Sequence, residues 1–281
     1  MEKFSVLMSV YEKENAEYFD LSLESITKTQ TILPNEIVIV KDGPLTDSLE
    51  KVIEKYDIMY KGLFKIVPLK ENIGLGKALS IGLDNCTNEI VMRMDTDDVA
   101  VENRFEIQLD YMCKHKEIVA CGGYIAEFQN DYVTESKRIK RMPITCEDVI
   151  KYSKFRCPIN HMTVCFRKSE ILKVGGYLPL PYVEDYYLWA RLLVNNKKIC
   201  NIPEILVNVR IGNGFNKRRG QKKIISSWKV LQKYLYENKY INFFQKKRNM
   251  LGVRFIVYSP SCIKNLIYKK YLRKKDIGVI K

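Results

Sequence analysis

Apolar positions gather into short runs in the first third of the chain, and each run is followed by a stretch whose apolar residues recur every three or four positions. The runs fall at 4–10, 36–41, 64–69 and 89–95, and the helical spacing falls at 16–29, 45–60 and 73–85. Asn72 and the Gly74/Gly76 turn open the third helical stretch. Continuous apolar runs alternating with amphipathic helices predict a mostly parallel central sheet flanked by helices, an α/β fold of the Rossmann-like kind. Beyond residue 95 the order changes: a helix near 102–115, a long strand at 118–128, a helix near 146–155, a strand at 162–167, a Gly175-Gly176-Tyr177 turn and a helix over about 184–195. The chain carries no internal repeat and no low-complexity segment.

In open parallel sheets ligands bind beyond the carboxyl ends of the strands. Here those ends are polar: Tyr11-Glu12, Lys41-Asp42-Gly43, Asn72-Ile73-Gly74 and Asp95-Thr96-Asp97-Asp98 follow the four runs. Solubility alone does not account for four polar strand ends in one sheet.

With 281 residues, 46% of them hydrophobic, the chain has apolar surface enough to offset its conformational entropy. Disorder, a collagen-like repeat and a disulfide-dense miniprotein are excluded, and no run approaches the roughly 18 apolar residues of a spanning helix. The sequence enters its first strand at Phe4 without a basic, then apolar, leader, so export is not expected. Eight dispersed cysteines without a CxxC pair fit reduced thiols and a cytoplasmic location.

The formal charge of +14 is unevenly distributed. Residues 214–281 hold 19 Lys and Arg against Glu237 and Asp276, a net of +17, which leaves residues 1–213 at −3. The chain therefore divides into an α/β part, 1–213, and a basic, aromatic-rich helical extension, 214–281. Basic clusters at 246–248, 269–270 and 273–275, interleaved with Phe, Tyr, Ile and Leu, fit an anionic membrane surface. A solvated helical appendage is the alternative. Nucleic acid is the weaker reading, for want of a helix-turn-helix, zinc-finger, RRM or KH signature.

Asp95, Asp97 and Asp98 place three carboxylates within four residues, a repulsive arrangement unless a cation neutralises it. Hard oxygen ligands suit Mn²⁺ or Mg²⁺ shared with a substrate's phosphates. Helix capping would explain one of these aspartates, not three. Glu184-Asp185 open a helix, where acids are common for dipole reasons, but beside a metal-type cluster a second carboxylate is also a candidate general base. Of the two histidines, His161 precedes an apolar strand and can serve as a ligand or a core residue, whereas His115 reads as surface. The segment 208–220 is punctuated by glycine and then strongly basic, so that Arg218 and Arg219 could close over a diphosphate.

In their order along the chain, Val6–Tyr11, Ile39–Pro44, Asn72–Leu79, Asp95–Asp98, Asn160–Val164, Gly175–Tyr177 and Val183–Tyr186 resemble the motifs of family-2 glycosyltransferases with a GT-A fold, especially bacterial enzymes of O-antigen, capsule and exopolysaccharide synthesis. The resemblance covers about residues 4–215. It implies a nucleotide-sugar half over about 1–100 and an acceptor half over about 101–213. Tyr11, Glu12 and Asp42 would hold uracil and ribose; Asn72, Gly74 and Lys77 would line the nucleotide pocket. Asp97 would be the main metal ligand, Asp95 a ribose or metal contact, and Asp98 would face the donor sugar. Asp185 would be the base that deprotonates the acceptor hydroxyl, with Glu184 beside it and Trp189 and His161 near the acceptor.

These roles imply an inverting enzyme that uses a UDP-sugar of hexose or N-acetylhexosamine type. It would form a β-linkage on a saccharide carried by a lipid diphosphate at the cytoplasmic face of the inner membrane. Two departures stand out. Ser9-Val10-Tyr11 replaces a strand end that often carries proline, and Gly212 follows Arg210-Ile211 where relatives often have histidine, which leaves Arg218/Arg219 or His161 to compensate. Two other readings stand beside this one. Asp95-Thr96-Asp97-Asp98-Val99 also fits the nucleophile motif of haloacid-dehalogenase-type phosphatases, although three βα units precede it. A non-catalytic basic adaptor for membrane or nucleic acid is the second.

Overall fold

A computed structural model describes residues 2–135, 137–211 and 223–260. The elements run β1 (Phe4–Val10), α1 (Ala16–Ile26), β2 (Glu36–Lys41), α2 (Asp47–Met59), β3 (Phe64–Pro68), α3 (Leu75–Asn85), β4 (Ile90–Arg93), β5 (Val99–Ala100), α4 (Arg104–Lys114), β6 (Ile118–Phe128) and β7 (Arg138–Lys140). After them come α5 (Cys146–Ser153), a 3₁₀ turn (His161–Thr163), β8 (Cys165–Arg167), α6 (Lys168–Lys173), α7 (Glu184–Val194), β9 (Lys198–Arg210), α8 (Lys223–Glu237) and α9 (Phe243–Tyr258).

The strands form one sheet in the order β3-β2-β1-β4-β8-β6-β9-β5, with β7 paired to β6. From β3 to β4 all neighbours are parallel; β8 is antiparallel to both β4 and β6, and β6 and β9 pair in parallel. Alternation along each strand explains the near-continuous apolar runs. Phe4, Val6, Met8, Ile37, Ile39, Ile90 and Met92 face one layer with Phe19, Leu23, Phe105 and Met112. Leu7, Val38, Val40 and Val91 face the other with Leu79, Leu83, Leu188 and Trp189. Gly82 brings α3 against the sheet, where a Cβ would lie 2.5 Å from Leu7 Cδ1 and 2.6 Å from Val40 Cγ2.

Chain order and space diverge at β1, whose neighbours are β2 and β4. This reversal makes the carboxyl ends of β1, β2 and β4 a crevice for a ligand.

The element most at odds with the sequence reading is β9. Residues 198–207 gave no strand signal because Pro203-Glu204 interrupts them, and 208–210 read as the start of a loop. In the structure all thirteen residues belong to β9, and the register with β6 slips between Gly123/Ile202 and Tyr124/Ile205, which lets Pro203 bulge out of the ladder. The strand expected at 162–167 divides into the 3₁₀ turn and β8, and the short β5, β7 and α6 fall below what periodicity registers. The extension contributes α8 and α9, packed as a hairpin. Leu231, Leu235 and Ile241 share a small core with Leu180, Val183, Tyr186 and Ala190 around α7.

Candidate active site

At the end of β2, Asp42 is buried and its carboxylate accepts the Ile73 N–H at 2.7 Å and the Gly74 N–H at 3.1 Å. It thereby fixes the loop that opens α3. Gly43 follows with φ +90°, and a Cβ there would lie 2.8 Å from Asn72 N, so the two strand-end loops touch backbone to backbone. Asn72 and Lys77 stand exposed on this loop and the first turn of α3, Tyr11 is half-buried beyond β1, and Glu12 is exposed beside it. The residues expected to line a nucleotide pocket therefore sit along one edge of the crevice, with Asp42 organising the backbone there.

The aspartate cluster lies just past β4. Asp95, Asp97 and Asp98 each offer an oxygen within 4.8 Å of the others. Ser22 on α1 donates to the Asp95 carbonyl at 2.8 Å, and the Arg210 N–H at the end of β9 donates to Asp98 Oδ1 at 2.9 Å. Burial first, then the charges of Asp97 and Asp95, hold the Asp98 carboxyl well above the usual range. Three converging hard oxygens, which Arg93 and the Arg210 amide counter only in part, are a donor set that fits a divalent cation. The Arg210 guanidinium is held 3.8 Å from the Tyr18 ring and 4.6 Å from that of Phe128, and its Nε donates to the Asp97 carbonyl at 3.4 Å.

Arg93, the last residue of β4, is 2% exposed and pairs with Asp95 through Nη2. Its Nε and Nη1 are buried without a partner. Its positive charge acts on Asp95 and Asp98 and also on Glu184 and Asp185, and Asp95 in turn acts on Glu184. It is the hub of the site, and the sequence reading assigned it no role. The signal was present: a single cation inside the apolar run Ile90-Val91-Met92-Arg93-Met94 calls for a buried counter-charge.

Glu184 and Asp185 occupy the first turn of α7. Asp185 is fixed through both oxygens, Oδ1 accepting the Tyr186 N–H at 2.6 Å and Oδ2 the Cys157 thiol at 3.4 Å. Burial raises its carboxyl despite those bonds. Burial, followed by repulsion from Asp185, raises Glu184 to about 7, and its Oε2 has no hydrogen-bond partner. The pair thus has a proton affinity suited to general-base work near neutrality.

His161 and Trp189 stand behind this pair. His161 is buried in the 3₁₀ turn and shares a 2.9 Å hydrogen bond with the Tyr177 hydroxyl, and burial followed by the Arg93 charge keeps its imidazole neutral. Trp189, expected near the acceptor, is fully buried in the core with its ring edge toward His161, and presents no surface to a ligand. Its position one helical turn after Asp185 placed it on the core face of α7. Arg191 ties that face to the glycine turn by donating to the Val174 carbonyl and, at 2.6 Å, to the Gly176 carbonyl. His115 lies on the surface as expected. Arg218, Arg219 and Gly212 lie outside the described residues.

The sequence profile described as "Glycosyl transferase family 2" matches residues 5–173. The chain is 42% identical over 224 residues to the amylovoran biosynthesis glycosyltransferase AmsE of Erwinia amylovora, covering 79% of this chain and 82% of that one. It is 36% identical over 272 residues, 97% of either chain, to the UDP-Gal:alpha-D-GlcNAc-diphosphoundecaprenol beta-1,3-galactosyltransferase of Escherichia coli. Among solved structures it resembles S. aureus TarS 1–349 in complex with UDP-GlcNAc, with a TM-score of 0.68 at 19% identity over 96% of this chain and 76% of that one.

Proposed function

The chain belongs to glycosyl transferase family 2, and we propose that it transfers a hexose or N-acetylhexosamine from a UDP-sugar to a saccharide carried on a lipid diphosphate, with inversion to a β-linkage. The fold is GT-A and the setting is bacterial surface-polysaccharide synthesis. With that family, the readings of Asp95 as a phosphatase nucleophile and of the chain as a non-catalytic adaptor fall away.

The observation that carries the proposal is the electrostatic coupling of two carboxylate groups that share Arg93: the Asp95/Asp97/Asp98 cluster at the end of β4, and Glu184-Asp185 at the start of α7. Asp97 and Asp95 would hold Mn²⁺ or Mg²⁺, which when bound stabilises the negative charge of a departing nucleoside diphosphate. Tyr11, Glu12, Asp42, Asn72, Gly74 and Lys77 hold the nucleotide along the crevice, and Asp98 faces the donor sugar. On the other side Asp185, oriented by the Tyr186 amide and the Cys157 thiol, takes the proton of the attacking hydroxyl. Glu184 shares the charge and matches the pair's proton affinity to neutral pH. A base opposite the leaving group requires one in-line displacement, and hence inversion.

The UDP-sugar and the diphospholipid acceptor follow the printed activity of the Escherichia coli relative and the ligand of TarS. No helix among the described residues is long and apolar enough to cross a membrane. The basic extension would instead bring the enzyme to the anionic cytoplasmic face of the inner membrane, where such acceptors reside. The test is nucleotide release from a panel of UDP-, GDP-, dTDP- and CMP-sugars with Mn²⁺, Mg²⁺ or EDTA. Slow hydrolysis of one UDP-sugar, lost with EDTA and in Asp97→Asn, is expected. An α-linked product from an α-linked donor would refute inversion.

A further inference from the structure

The helix α9 has two apolar sides, and among the described residues only one of them is covered. Asn249, Val253 and Val257 are buried on the side toward α8, where the Asn249 amide donates to Gln232 Oε1 and to the Lys154 carbonyl. On the opposite side Phe244, Leu251, Phe255 and Tyr258 follow one another at i, i+7, i+11 and i+14, a single stripe along an α-helix. They are 79%, 64%, 59% and 64% exposed. A row of four large apolar side chains turned to water is a surface that asks for a partner.

The residues beside the stripe say which partner. Lys247 and Arg254 flank it on one side and Arg248 on the other, and α9 contains no acidic residue. Lys247 is exposed, and its Nζ lies 4.5 Å from the centre of the Phe243 ring. Residues 223–260 hold eight cations and one acid, Glu237. Two copies meeting through this face would bring like charges together, whereas anionic headgroups complement it.

We propose that the Phe244–Tyr258 face of α9 lies in the headgroup plane of an anionic bilayer, with Phe244, Leu251 and Phe255 inserted and Lys247, Arg248 and Arg254 against the phosphates. This deepens, and rests on, the reading that the enzyme works on a lipid-linked acceptor at a membrane. Of the basic clusters at 246–248, 269–270 and 273–275, it gives the docking role to the one on α9, where apolar insertion, not charge alone, determines binding.

The test is flotation of full-length protein with vesicles of phosphatidylcholine alone or mixed with phosphatidylglycerol. The variants are the triple substitution Phe244→Ser/Leu251→Ser/Phe255→Ser and, separately, glutamine at Lys269, Lys270, Arg273, Lys274 and Lys275. All three inserted positions are exposed, so the triple variant keeps its melting temperature and its hydrolysis of the UDP-sugar in solution. Wild-type protein floats with the mixed vesicles, and the triple variant loses on the order of tenfold or more in partitioning. The glutamine variant retains most of its binding. If the triple variant floats like wild type while the glutamine variant does not, the α9 assignment is overturned and the membrane reading stands. If wild type binds no vesicle yet still hydrolyses donor, membrane docking is wrong and the transferase reading survives. A wild-type dimer that the triple substitution converts to monomer, with flotation unchanged, identifies the face as a contact between copies and overturns the proposal.

Discussion

Replacing Glu184 by glutamine should make the protein more stable, and only at high enough pH. In the fold the carboxyl of Glu184 is raised from 4.5 to about 7, chiefly by burial and then by Asp185. Between those pH values the folded protein holds a proton that the unfolded chain releases, so stability falls as pH rises through the window and the full cost is present above it. A rise from 4.5 to about 7 corresponds to ~3 kcal/mol of destabilisation. At about pH 8.5 the Glu184→Gln variant, without the charge, regains up to that amount, and for a chain of this size this is a gain of roughly 5–10 °C in melting temperature. At about pH 4.5 wild-type Glu184 is already neutral and the two proteins should melt together. Thermal unfolding of the metal-free proteins across pH, followed by circular dichroism, measures the difference directly. In parallel, the acidic limb of the wild-type pH–rate profile for transfer, centred near 7, should be lost in the variant. A stability difference that is independent of pH, or a variant less stable than wild type at about pH 8.5, would refute the argument that desolvation sets this carboxyl.

Asp97→Asn should abolish metal-dependent binding of the UDP-sugar by calorimetry. Asp185→Asn should bind donor normally and transfer at least ~100-fold more slowly, and transfer at the wild-type rate would remove Asp185 from the base role. Arg93→Met leaves Asp95 without its buried partner and should lower stability by about 3–5 kcal/mol in denaturant titration; a loss below ~1 kcal/mol would show that solvent or cation already screens the cluster. Gly43→Ala combines a φ of +90° with a Cβ 2.8 Å from Asn72 N. It should destabilise by about 1–3 kcal/mol and raise KM for donor more than it lowers kcat for transfer.

Much of the fold was legible because β1, β2 and β4 are buried on both faces and so read as unbroken apolar runs, each closed by a polar residue at the crevice. The aspartate cluster and Glu184-Asp185 stood out because charge concentrated at an element's end is costly without a use. Three features escaped. The strand β9 hid behind Pro203, because a bulge that removes proline from the ladder leaves no periodic trace. Arg93 read as one more strand residue, since its pairing with Asp95 two residues on and its reach to Glu184 and Asp185 on a distant helix emerge only in the fold. The resemblance implies a place near the acceptor for Trp189, and only packing shows that its turn of α7 faces the core.

The grip of the carboxyl-terminal hairpin on α7 has a mechanical side. Tyr186 packs edge-on against Trp228 and Tyr187 against Tyr234, with ring centroids 5.7 and 5.3 Å apart, in the two residues after Asp185. The turn of helix that carries the two carboxylates thus packs directly against the first helix of the hairpin, which in turn packs on α9. An enzyme resting on a bilayer through α9 would hold those carboxylates at one fixed standoff from the lipid surface, like a gauge set on a table. A glycan anchored in that surface would bring a terminal hydroxyl to the gauge at one length only. Acceptors one sugar too short or too long would be refused by reach, before any pocket had tested their stereochemistry.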